Sequence, residues 1–342
     1  MTRVSPTAAV TAGIMFGLAG GLVAGTFLMA PSLAANPAGN VGDKLTVAES
    51  ELEVASAQAN SADSYIADIA EDTVRGRLAG RPVILFTTPD VNEEDYGHIE
   101  WLSKIAGAPS VTRVKLTDTF LTQDSAEPLK ALAASTLPAG VQLSEDNRSV
   151  GTHMGELLGA SASTAPTTLT SGEQPEGEAT AEEPGEGDAG DVESAADTDT
   201  ETQTAAEPVS QEERTLVFGA LKEAGYIDFE GEVPASAATV LVTGGSDGRD
   251  DSFRVTQYVD FARALDASGL PTTVAGRLPA AGPDGLIGRL RTNQKDALTV
   301  STVDSIDRFY GRLATVLATV EQVGGGSGAY GSADKTDAVA PA

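Results

Sequence analysis

The sequence of 342 residues contains no cysteine. That absence excludes a disulfide framework, thiol catalysis and cysteine-type zinc sites, while leaving an oxidising compartment open. Histidine is nearly as scarce, with only His98 and His153. His153 and Met154 are adjacent, so on any regular element their side chains point apart. HExxH, CxxC, GxSxG and P-loop patterns are all missing. Positive charge is short too: 22 Lys and Arg stand against 50 Asp and Glu, a formal net charge of −28. Such a surface repels phosphate backbones and anionic head groups, so no nucleic-acid partner is expected.

One loop approaches a nucleotide-binding pattern, Thr243-Gly244-Gly245-Ser246-Asp247-Gly248 behind an apolar run. A dinucleotide loop needs its last glycine where the helix packs on the strand. Asp250 stands there, next to Asp251, which puts acid where a pyrophosphate would sit. None of the six tyrosines has a lysine four residues on, so a dehydrogenase-type pair is missing as well. The reading is no enzyme, no catalytic residue, no cofactor and no assigned metal ligand.

What the chain does have begins at its N-terminus. No charged residue occurs from Val4 to Gly42. The densest part, Ala8 to Ala30, is long enough as a helix to cross a hydrocarbon core of about 30 Å. Arg3 precedes it and an acidic body follows, which leaves the N-terminus cytoplasmic and exports the rest. Residues 1–36 read as a membrane anchor, with a cleaved signal segment (Ser32-Leu33-Ala34) as the alternative. Within it Gly13, Gly17, Gly21 and Gly25 share one helix face and predict helix association, because missing side chains let two backbones approach.

Residues 37–78 predict a coiled-coil stalk. Leu45, Ala48, Leu52, Ala55, Ala59, Ala62, Ile66 and Ile69 alternate spacings of three and four, an a/d seam, with acids on the other faces. Half the seam is alanine, so the coil is weak, and a single amphipathic helix lying on the body is the competing reading. Either way a homo-oligomer is expected if the anchor is retained.

The body repeats one grammar. Val83–Phe86 reads as a strand, Glu93–Ala106 as a helix stopped by Gly107, and Val111–Leu116 as a strand. The second half gives a strand at Thr239–Val242, a helix at Phe253–Ala267 stopped by Gly269, and a strand at Leu270–Val274. Helices are also predicted at Glu127–Ser135, Glu212–Ala224, Leu286–Thr292 and Ser305–Gln322, with a strand at Ala297–Ser301. Strand–helix–strand units with short apolar strands belong to a parallel sheet covered on both faces. The fold class is therefore α/β: one doubly wound, mostly parallel domain assembled from residues 79–160 and 210–324. Between the halves, residues 161–209 read as an acidic disordered linker, since Ser171–Pro208 holds thirteen Asp or Glu and no cationic residue. Residues 325–342 read as a flexible Gly/Ala tail.

Several stretches resemble the MctB family, the copper transport outer membrane proteins of mycobacteria and related actinobacteria. They are Phe16-Gly17-Leu18-Ala19-Gly20-Gly21-Leu22-Val23-Ala24-Gly25, Leu78-Ala79-Gly80-Arg81-Pro82-Val83, Leu116-Thr117-Asp118-Thr119-Phe120 and Gly324-Gly325-Gly326-Ser327-Gly328-Ala329-Tyr330-Gly331. The resemblance implies an oligomeric envelope protein of copper homeostasis, a component of an efflux route or pore, placed in the outer membrane. Copper would then be the transported species rather than a cofactor. The residues temper this: Cu(I) prefers thiolate and thioether, Cu(II) imidazole, and the chain offers no Cys, two His and four Met. A lone hydrophobic helix also suits an inner-membrane anchor better than an outer membrane of closed barrels. The alternative is an anchored α/β scaffold that binds envelope partners without moving copper itself.

Overall fold

A computed structural model describes residues 41–145, 149–164, 208–249, 251–292 and 299–342, with side chains from residue 46 onward. Gly13, Gly17, Gly21 and Gly25 lie outside the described residues, as does the Leu45 side chain. Among the described residues no helix is long and apolar enough to cross a membrane.

The chain divides into two compact units, residues 1–62 and 63–342. The described part of the first is the opening two-thirds of helix α1 (Val41–Val74). No Pro or Gly after Gly42 interrupts it. Its seam positions Ala48, Leu52 and Ala55 are exposed, Leu52 at 70%, and Ala59 and Ala62 are half-buried.

The second unit holds the last turns of α1 and one seven-stranded sheet. Its elements follow in the order β1 (Val83–Thr87), α2 (Glu93–Ile105), β2 (Val111–Leu116), α3 (Ala126–Ser135), α4 (Val150–Ala162), α5 (Gln211–Glu223), β3 (Ile227–Phe229), β4 (Ala238–Val242) and α6 (Ser252–Ala267). Then come β5 (Thr272–Ala275), a 3₁₀ turn (Leu278–Ala281), α7 (Leu286–Thr292), β6 (Ser301–Val303), α8 (Phe309–Val323) and β7 (Ala329–Tyr330). The strand order is β3-β2-β1-β4-β5-β6-β7. β3 runs antiparallel to β2, and the remaining pairs are parallel. Because β1 pairs with β4 from Val83↔Ala238 to Thr87↔Val242, both halves of the body share one sheet, as the repeated grammar predicts.

Alternation along the strands sorts the core onto two faces. Ile84, Phe86, Val114, Leu116, Leu241 and Val274 point to one cluster, which α4, α5 and α6 cover. Val83, Leu85, Val240, Val242 and Val303 point to the other, under α2, α8 and the end of α1. That end packs through Ile66, Ala70 and Val74, while Ile69 stays 38% exposed. Over its last turns α1 is thus an amphipathic helix on the body, its packed stripe sharing Ile66 with the predicted seam and then running to Ala70 in place of Ile69. Asp63 adds a polar tie, its carboxylate accepting from Phe309 N at 3.2 Å and so capping α8.

Two sequence expectations change. The tail at 325–342 contributes strand β7 and is pinned to the body. Asp304, fully buried, binds Arg291 Nη1 at 2.9 Å and accepts from Ser332 N at 2.7 Å, and Arg291 Nη2 donates to Tyr330 O at 2.8 Å. A buried ion pair holds a Gly-rich stretch that composition alone reads as loose. The expected linker also starts later, because Ser161 and Ala162 finish α4 and Ser163 caps it and pairs with Ser236. Residues 165–207 lie outside the described ones.

In the last turn of α6, Asp266 accepts from Thr272 N at 3.3 Å, but burial dominates and pushes its carboxyl up to about 6. A folded-state value above the unfolded one adds stability below the unfolded range, lost as pH rises to about 6. Partial exposure limits the swing to about 2 kcal/mol. Denaturation midpoints should fall between about pH 4 and 6 in the parent, and the slope should flatten in Asp266→Asn. An equal slope in both would assign the effect to other groups.

Candidate functional site

In an open α/β sheet, ligands bind outside the carboxyl ends of the strands where the crossovers diverge. Here that point lies between β1 and β4, whose chains lead away to β2 and β5. The β1 end is Thr87-Thr88-Pro89-Asp90 and the β4 end is Thr243-Gly244-Gly245. The crevice is filled by the protein's own groups. Asp90 accepts from Gly244 N at 3.3 Å and from Thr88 Oγ1 at 2.5 Å. A Cβ on Gly244 would lie 2.3 Å from Asp90 O, so glycine serves here for strand-end packing and not for ligand approach. Asp251 caps α6 by accepting from Arg254 N at 2.9 Å. Carboxylates therefore stand at both the loop amide and the helix N-terminus, the two positions that hold a phosphate in a nucleotide-binding sheet.

Polar groups converge instead beside β1, around the first turns of α2. Asn92 caps that helix, accepting from Glu94 N at 2.8 Å, and Glu93, Glu94 and Asp95 follow at its positive end. Glu93 turns outward to Arg113, whose hydrogen bonds hold the carboxyl below its ordinary range. Arg113 in turn lies 3.5 Å over the Tyr96 ring. Asp95 turns inward and is fully buried. It accepts from Arg277 Nε at 2.7 Å, just past β5, and from Arg312 Nη2 at 2.9 Å, on α8. One carboxylate thereby joins three segments across 217 residues of sequence. Asp95 also raises the basicity of Arg277, chiefly through its hydrogen bond.

The outer side of the same helix forms a groove of about 440 Å³ lined by Ala67, Glu94, Gly97, His98, Trp101 and Phe309. His98 Nδ1 lies 2.9 Å from Glu94 O and 3.1 Å from Arg312 Nη1. The Phe309 ring meets the imidazole edge-on at 5.7 Å. Trp101, the chain's one tryptophan, is 39% exposed at the groove wall. The other histidine is elsewhere, on α4, with Nε2 3.1 Å from Ser144 O. Met154 beside it is fully buried in the core. No group of three or more His, Asp or Glu that could hold a metal ion occurs among the described residues.

Comparison with known proteins decides what this body belongs to. A family model described as "Copper transport outer membrane protein, MctB" matches residues 4–341. The chain belongs to the MctB family. Proteins named copper transporter MctB from Mycobacterium bovis and Mycobacterium tuberculosis are each 30% identical over 277 residues, covering 80% of this chain and 77% of theirs. The Mycobacterium leprae protein of the same name is 28% identical over 261 residues, 74% of this chain and 71% of its own. In this chain, Leu78 to Val83 is the entry to β1, with Leu78 buried in the core. Leu116 to Phe120 carries β2 into a turn in which Thr117 N donates to Tyr226 O at 3.0 Å and Phe120 is buried. The C-terminal glycine run delivers β7.

Sequence reasoning named His98 but missed Asp95, Arg277 and Arg312. Carboxylates are frequent throughout the chain, and nothing local marks Asp95 as the one that meets two arginines far away in sequence. The interior of α4 was missed too. Gly151, Gly155 and Gly159 face α6, where a Cβ would come within 2.1 Å of Gln257 O, 2.5 Å of Ala264 Cβ and 2.8 Å of Ser268 Cβ respectively. The signal was available: this is the same spacing of four that stands out between Gly13 and Gly25.

Proposed function

We propose that this protein handles copper at the cell envelope, as an oligomeric component of an efflux route or pore. The observation that carries the reading is the extent of the family match, residues 4–341, which takes in the apolar N-terminal run together with the α/β body. The relatives' name supplies the cargo. In this reading Ala8–Ala30 anchors the chain, Gly13, Gly17, Gly21 and Gly25 bring anchors together, and the seam from Leu45 to Ala62 continues the contact as a coiled coil, up to the turns at Ile66 that pack on the body. The exposure of Ala48, Leu52 and Ala55 together supports that assignment, since an a/d seam left open to solvent can receive a second helix. The family's description supports an outer-membrane location, and the single apolar run at the N-terminus favours anchoring at the inner membrane. The body is non-catalytic in this account, with the Gly244 amide engaged by Asp90 and the N-terminus of α6 by Asp251.

A second reading, an anchored scaffold whose copper effects are indirect, draws support from the sparse donor set of the described body. The two differ in a planar bilayer, where only the first predicts ion conductance by the purified full chain. The test of copper handling itself is cell-associated copper in a deletion strain. Copper should rise several-fold on deletion and return with the intact gene. A version with leucine at Gly13, Gly17, Gly21 and Gly25 should fail to restore it. Unchanged copper on deletion would end the reading.

A further inference from the structure

We propose that the groove beside α2 is a Cu(II) contact site, with His98 Nε2 and the Glu94 carboxylate as its protein ligands. The inference deepens the copper reading and rests on it for the choice of cargo, but the donor set is argued from the structure. Glu94 and His98 are four residues apart on one helix, so their side chains emerge on the same face, one turn apart. Both line the same open groove. A histidine that binds metal through one ring nitrogen donates the other to a carbonyl or carboxylate, which fixes the ring. His98 Nδ1, 2.9 Å from Glu94 O, stands ready for that role. The edge contact with Phe309 holds the ring plane.

Arg312 also reaches Nδ1, at 3.1 Å, and a guanidinium can only donate. The two contacts therefore call for opposite tautomers. An ion at Nε2 selects the one with Nδ1–H on the carbonyl. Arg312 does not depend on His98, because its Nη2 is held by Asp95 at 2.9 Å and its Nε by Ile306 O at 2.8 Å. Nor does Glu94 depend on Arg312: their contact is 3.3 Å long and the carboxylate side chain is 66% exposed, free to swing toward the ion.

One imidazole and one carboxylate suit late first-row divalent ions, and the affinity order places Cu(II) ahead of Zn(II). Two protein ligands leave the remaining positions to water. Such a site exchanges its ion readily, which suits passage better than storage.

Trp101, three residues from His98 on the same helix, reports on the ion without a label. Cu(II) quenches indole emission at contact range, whereas Zn(II), with a filled d shell, does not. The full chain in detergent is titrated with copper sulfate, and with zinc sulfate as control. Saturable quenching by copper is expected. His98→Ala should raise the half-saturation concentration by about tenfold or more, with Glu94→Gln giving a smaller rise and His153→Ala none. Glu94→His should tighten the response, since it supplies a second imidazole at the same spacing; this variant keeps the test decisive even if His98→Ala destabilises the helix. Quenching that ignores His98→Ala, that is lost equally in His153→Ala, or that does not tighten in Glu94→His would overturn the site. These outcomes are independent of the deletion-strain assay. A failed titration removes the site and leaves copper handling standing, whereas unchanged cellular copper removes the cargo and leaves the titration standing.

Discussion

Asp95→Ala is expected to cost about 3–5 kcal/mol, the loss seen when one partner of a buried ion cluster is removed. The reason is asymmetric. Arg312 is only 7% exposed and its guanidinium was desolvated against Asp95, so the substitution strands a cation and returns nothing in hydrogen bonds. Arg277, 37% exposed, can turn to water and suffers less. Denaturant unfolding of the full chain, followed by far-ultraviolet circular dichroism, measures the loss. A change under about 1 kcal/mol would mean that Glu94 takes over Arg312 entirely, which a surface-type pair can match only weakly. Because Asp95 ties α2 to α8 and to the strand end beside them, the same variant should also blunt the response of Trp101 to copper.

Gly155→Leu should be of similar size, near 3 kcal/mol at the upper end of overpacking costs. The Cβ alone would sit 2.5 Å from both Ala264 Cβ and Phe261 O, and the latter is backbone that cannot rotate away. The helices α4 and α6 must then separate along their length, opening the core between Met154, Leu158, Phe261 and Leu265. Gly219, on α5, has nothing within 4 Å of a built Cβ. Gly219→Ala should therefore leave the melting temperature unchanged or raise it slightly through helix propensity. Equal destabilisation at both positions would contradict close packing as the cause.

Much of the sheet could be read from sequence, and the reason is local. Val83–Phe86 and Thr239–Val242 are short, largely apolar runs, Val111–Leu116 alternates apolar with polar residues, and Gly107 and Gly269, both at positive φ, end the helices that link them. The helix α4 defied the same reasoning. Twelve of its thirteen residues are buried, so no polar face gives a 3.6-residue period, and its glycines are poor helix formers on their own. Tertiary packing against α6 makes it helical. β3 and β7, three and two residues long, are too short for any alternation to register. At the groove, His98 was visible as a residue but not as part of a site. Its neighbours Ala67 and Phe309 come from other helices, and the Asp95 cluster that fixes the helix beneath it is assembled wholly at long range.

A different consequence follows from Arg214, buried at 3% exposure on α5. Its Nε donates to Ser161 O at 2.7 Å and its Nη2 to Val209 O at 2.9 Å. One side chain thus grips the chain just before the acidic insertion and again just after it, while Thr164 N adds a bond to Ser236 O at 3.2 Å. The insertion is closed at its base like a drawstring bag. Loop-closure entropy rises only about 0.6 kcal/mol per doubling of length, so whatever lies between those two carbonyls can lengthen, shorten or change its charge with little mechanical effect on the sheet. This chain thereby has a port at which evolution, or a protein engineer, can splice new sequence without renegotiating the core.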